Sequence, residues 1–180
     1  MAMDFVQNLR EKLAELPKEQ LLDFIEIQFK NLWTLQNNYM ARLDDKFGHE
    51  VALDFDNACF GRMSEVGARR IQKFLGLGDD IQSILTCLEY SVPEPGSEGE
   101  WTQVGENKAH FKVTKCNMQH ARLNRGAEEL PCKDALIGVM DRTFKAINPK
   151  SRITRAMAPP DKHPDDLWCE LEFEIEEDNN

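Results

Sequence analysis

At 180 residues, with 41% hydrophobic and 30% charged side chains, the chain can build one domain with a sizeable core, and wholesale disorder is excluded. A formal net charge of −10 and a pI near 4.9 give a surface that repels phosphate, which argues against nucleic acid or an anionic membrane as partner. With no apolar run of spanning length, a charged start where a signal peptide needs apolar residues, and five scattered cysteines that suit reduced thiols, a cytoplasmic protein is expected.

Pro17 followed by Lys18, Glu19 and Gln20 makes a good first helical turn, because proline's missing N–H costs nothing there. Leu21, Leu22, Ile25, Phe29, Leu32 and Trp33 then recur at helical spacing, and the pattern runs to about Phe47, before Gly48. A second long helix is predicted from about Glu50 to Leu75. "GLGDD" ends it, with Gly76 or Gly78 in the left-handed position and Asp79 free to cap the next helix. That helix carries Ile81, Ile84, Leu85 and Leu88 to about Tyr90.

"SVPEPGSEGE", residues 91–100, reads as a loop, since its prolines and glycines build no regular ladder. The period then drops to two. Ala109, Phe111 and Val113 alternate with Lys108, His110, Lys112 and Thr114, a half-buried strand that "VGEN" would pair with Trp101 to Val104. An amphipathic helix is predicted from Asp134 to Ile147 and a strand from Arg152 to Met157. A last strand, Trp168 to Ile175, puts Cys169, Leu171, Phe173 and Ile175 on one face. Its glutamates, Glu170, Glu172 and Glu174, lie on the other, paired across the sheet with Lys112 or Arg152. The fold class is α+β: N-terminal long helices followed by a small, mostly antiparallel sheet with one crossing helix. A helical region over 1–90 and an α+β region over 91–180 would share one compact domain.

The usual enzymatic signatures are missing. "GHEVAL" lacks the second histidine of a zinc-protease helix, and "GLG" has neither a third glycine nor a preceding strand. The cysteines are more informative. Cys116 ends the best strand. Cys132 stands before a helix N-terminus, where unpaired N–H groups and Lys133 favour thiolate. Cys169 opens the last strand, and the loop before it supplies Asp161 and His163, both capable of proton transfer. Cysteines also serve as small core hydrophobes, the ordinary use for Cys59, Cys87 and Cys169 taken singly. Cys116, Cys132 and Cys169, with His120 as a fourth ligand, would make a three-sulfur, one-nitrogen set for zinc or iron. They lack the close ligand pairs of a structural zinc site.

"CNMQHARLNRGAEELPCK" and "APPDKHPDDLWCELEF" resemble a family of uncharacterised bacterial and archaeal cytosolic proteins with a C-P-x-Q-x-A-R-x-x-G-x-x-x-x-P-C-K stretch, then P-P-D and W-C. The matching residues are Cys116, Gln119, Ala121, Arg122, Gly126, Pro131, Cys132, Lys133, Pro159, Pro160, Asp161, Trp168 and Cys169. Asn117 departs from that pattern, which has proline there, and the pattern does not require histidine at position 120. More remotely, Cys116, Cys132, Asp134 and Cys169 are laid out as in L-2-amino-thiazoline-4-carboxylic acid hydrolase, and the region is similar to the vinyl reductase-like small-molecule-binding domain. The hydrolase resemblance implies opening of a sulfur-containing ring by water.

Three functions follow as expectations. The first is a binding module for a small molecule or metal at a cysteine-centred site, with Cys116, Gln119, Arg122, Lys133 and Trp168 holding the ligand. The second is a cysteine-dependent hydrolase of a carboxylate-bearing, sulfur-containing substrate. Cys132 would be its nucleophile, Asp161 or His163 its acid/base, and Arg122 its carboxylate anchor. The third is a homodimer built through the long N-terminal helices.

Overall fold

The computed structural model describes residues 4–177 and is α+β, as expected, with the helices first and an antiparallel sheet after them. By internal contacts the chain divides into two compact units, one ending at Tyr39 and the other beginning at Met40.

The first unit holds α1 (Phe5–Ala14) and most of α2 (Lys18–Phe47). The sequence reading missed α1. Its signal is Asp4, whose carboxylate accepts the N–H groups of Val6 and Gln7 at 2.9 and 3.3 Å, ahead of Phe5, Leu9 and Leu13. α2 starts directly after Pro17, whose carbonyl accepts the Leu21 N–H.

In the second unit α3 (His49–Leu75) stops at Gly76, which takes the left-handed φ of +67°. α4 (Ile81–Glu89) is capped by Asp80, not Asp79: the Asp80 carboxylate accepts the Ser83 N–H at 2.7 Å. β1 (Glu98–Gln103), β2 (Lys108–Lys115), β3 (Ser151–Met157) and β4 (Cys169–Ile175) form one antiparallel sheet in the order β1-β2-β4-β3. Between β2 and β3 come α5 (Asn117–Leu123) and α6 (Lys133–Ile147). α6 packs against both α3 and the sheet.

The core lies between α4, α6 and one sheet face. Ile84, Leu85, Cys87, Ala109, Phe144, Leu171 and Phe173 are buried there. Phe144 of the helix stacks on Phe173 of the sheet with centroids 4.0 Å apart, and Trp101 stacks on Phe111 at 3.9 Å. The opposite face is a ladder of charge, as the alternation of β4 predicts. Arg152 binds Glu174 at 2.6 Å, as expected, while Lys108 binds Glu172 at 3.0 Å and Arg155 binds Glu170 at 2.6 Å. Lys112 stands opposite Glu170 in register.

Both outer strands are irregular, β1 between Glu98 and Gly99 and β3 between Ile153 and Arg155. Strand β1 begins three residues before the expected Trp101, inside the predicted loop. Gly99 allows this, since a Cβ there would lie 2.6 Å from the Lys112 carbonyl oxygen.

Candidate functional site

Cys116 follows the last residue of β2 and stands at the N-cap of α5, Cys132 stands at the N-cap of α6, and Cys169 begins β4 opposite Val113. None of the three is fully buried or fully exposed, whereas Cys87 packs in the core as expected and Cys59, expected there too, is exposed on α3. Burial pushes the Cys169 thiol up to about 12, and negative charge on Cys132, Cys116 and Glu94 adds to the shift. Cys116 is pushed up to about 11, again by burial first. The Gln119 backbone N–H opposes the shift, while Glu94 and Cys132 reinforce it. Cys116 and Cys169 thus both feel Cys132 and Glu94.

For Cys132 the direction is opposite to the sequence expectation. Burial raises this thiol too, outweighing the help of the Gln119 side chain, and Glu94 and Glu129 push the same way as burial. The helix end does not win because the sulfur is desolvated and because Lys133 is committed elsewhere, at 2.6 Å from Asp161. The resting form is the thiol.

Glu94 is the residue that sequence reasoning missed. It opens the turn Glu94-Pro95-Gly96-Ser97, closed by the Ser97 N–H on the Glu94 carbonyl, with Gly96 at φ +82°. Proline then glycine at the two central positions is the signature of a type II turn. The turn was therefore legible, but nothing local says that its carboxylate acts on three distant thiols. The Ser97 hydroxyl donates to the Glu94 carboxylate at 2.7 Å and accepts the Asn117 N–H at 2.9 Å, which ties the turn to the start of α5. Burial raises the Glu94 carboxyl above its ordinary value, against the pull of Ser97 and the Met118 N–H.

Other expected ligand holders turn out to be engaged with the protein. The Gln119 side chain is buried, and its amide donates to the Leu130 carbonyl at 2.9 Å and accepts the Leu130 N–H at 2.8 Å. The same nitrogen reaches the Cys132 sulfur at 3.6 Å, so Gln119 positions the 130–132 segment. Arg122 donates to the Glu128 carbonyl at 3.1 Å and pairs with Asp44 at 3.1 Å. The expected carboxylate anchor, Arg122, and the expected ligand holder Lys133 thus each already pair with a carboxylate.

His163 sits at the edge of this group. Its Nδ1 is 2.9 Å from the Pro164 carbonyl, its Nε2 is 3.5 Å from Glu129, and its ring lies 4.9 Å from that of Trp168. The Pro164 carbonyl raises its pKa most, burial opposes this, and Glu129 adds to the rise. His120 meets the buried Trp168 ring edge-on at 5.3 Å. Among the described residues no hydrogen bond joins Asp161 or His163 to Cys132. Nor could any group of three His, Cys, Asp or Glu among them hold a metal ion, so Cys116, Cys132 and Cys169 share a neighbourhood without forming the ligand cage expected for zinc or iron. No described helix is long and apolar enough to cross a membrane.

What remains is a soft site of three uncharged thiols, the Glu94 carboxyl, whose pKa burial raises, and the Trp168 indole. Neither the curated proteins nor the solved structures contain a match to this chain. A family model does match, over residues 13–175, and the chain accordingly belongs to a family of unknown function (DUF6125).

Proposed function

We propose that this chain is a binding module whose cysteine-centred site takes a neutral or cationic, weakly polar small molecule. One observation carries this reading. Cys116, Cys132, Cys169 and Glu94 come from four separate stretches of chain, and the Glu94 carboxylate raises the pKa of all three thiols. Convergence of polar groups in a largely desolvated space is the ordinary build of a small-molecule site. The ligand's charge follows from Arg122 and Lys133, which are matched by Asp44 and Asp161 and leave a carboxylate without an anchor. The hydrolase suggested by resemblance is less well supported. It needs a thiolate with a base in reach, whereas burial holds Cys132 as a thiol, Asp161 pairs with Lys133 and His163 lies beside Glu129.

A fragment panel read by melting temperature tests the binding reading. Neutral and cationic fragments should raise Tm, and the rise should vanish in a Cys132→Ala/Glu94→Ala variant. Equal stabilisation of that variant, or stabilisation by carboxylate fragments alone, would sink it.

A second reading concerns the first unit. Gln36 is the one buried side chain among the described residues of α2, while Phe5, Val6 and Leu35 are 82%, 77% and 64% exposed. We infer that these helices pair with a second copy, because contact between identical faces covers apolar surface on both chains at once. Light scattering on the eluting protein tests this.

A further inference from the structure

We propose that the loops 124–132 and 158–168 form a clasp over the cysteine site, and that release of this clasp governs access to Cys132; the inference rests on the binding reading above. The first loop joins α5 to α6 and ends on Cys132, while the second joins β3 to β4 and ends next to Cys169. Their roots are fixed. Leu130, Ala158 and Trp168 are buried, Gln119 holds both backbone groups of Leu130, and the Trp168 N–H donates to the Val113 carbonyl at 2.8 Å.

Between the roots, one contact joins the two loops and two more fasten the second loop to Lys133, the first residue of α6, next to Cys132. The Lys133 N–H donates to the Pro159 carbonyl at 3.0 Å, the Lys133 ammonium meets Asp161 at 2.6 Å, and His163 meets Glu129 at 3.5 Å. Residues beyond these contacts, Lys162, Pro164, Asp165 and Asp166, are exposed. The fastening is of a different kind from the roots. Buried apolar side chains are costly to expose, whereas partly exposed ion pairs are weak and screened by salt. Local opening should therefore part the ion pairs before it disturbs the core.

Alkylation of the full chain carrying Cys59→Ser tests this, because that substitution removes the one exposed thiol. Iodoacetamide labelling at one fixed pH is followed by peptide mass mapping. Cys87, fully buried among core residues, reports opening of the whole fold. In a Lys133→Met/His163→Phe variant, which breaks both ion pairs without adding positive charge beside the sulfur, Cys132 should react about three- to tenfold faster while Cys87 keeps its rate. High salt should accelerate Cys132 in the same selective way without those two substitutions, so a poorly folding variant does not end the test. An unchanged rate at Cys132 in both arms, or an equal gain at Cys87, overturns the clasp. Loss of fragment binding with selective acceleration intact would sink the binding reading alone, and the converse would sink the clasp alone.

Discussion

Glu94 shows how one side chain can work against the stability of its own site. A carboxyl whose pKa is raised on folding favours the folded state below its ordinary value of 4.5, and that contribution is lost as pH rises through the folded value. At neutral pH the charged Glu94 is therefore a burden, held in place by Ser97 and the Met118 N–H among three thiols. Glu94→Gln keeps an acceptor for those donors and removes the charge. Calorimetry should find the variant melting higher than the parent at pH 7.5, with the gain fading toward pH 4. Coincident melting curves at pH 7.5 would show that Glu94 is better solvated than its surroundings indicate. A residue kept at such a cost is a natural place for a ligand to contribute, since a bound cation would relieve it.

At the scale of elements, β1 depends on the residue that lets it approach β2. Gly99→Ala would bring a methyl group to 2.6 Å from the Lys112 carbonyl, where backbone cannot swing aside as a flexible side chain could. A loss of about 1–3 kcal/mol is expected in urea unfolding, mostly from the displaced strand pairing. A loss below about 0.5 kcal/mol would mean that β1 shifts without penalty. The same strand marks a limit of sequence reading. Alternation identified β2 and β4 because each has one apolar face in the core, and helical spacing identified α3 and α6 for the same reason. The start of β1 has no such alternation: it sits in a proline- and glycine-rich stretch and pairs because β2 is already there to receive it. The site was half legible. Strand ends and helix starts marked Cys116, Cys132 and Cys169 as special positions, but burial, which reversed the expected behaviour of Cys132, is set by tertiary packing. The engagement of Arg122 with Asp44 joins residues seventy-eight positions apart, and no local pattern encodes it.

For the molecule as a whole, the contrast lies between a second unit with a stacked aromatic core and a first unit with little buried of its own. If the first unit pairs with a second copy, light scattering should give twice the chain mass. Leu22→Lys/Ile25→Lys, which puts charge onto exposed apolar positions of α2, should return it to the monomer. A parent protein that elutes as a monomer at every concentration would refute the pairing. The sheet, by contrast, is poorly suited to self-association. Its two rims are bent out of regular pairing, and glutamate or arginine stands at both breaks, so a neighbouring molecule finds no flat template to extend. Concentrated solutions should accordingly remain free of fibrils, with any growth in particle size traceable to helices rather than to cross-β stacking.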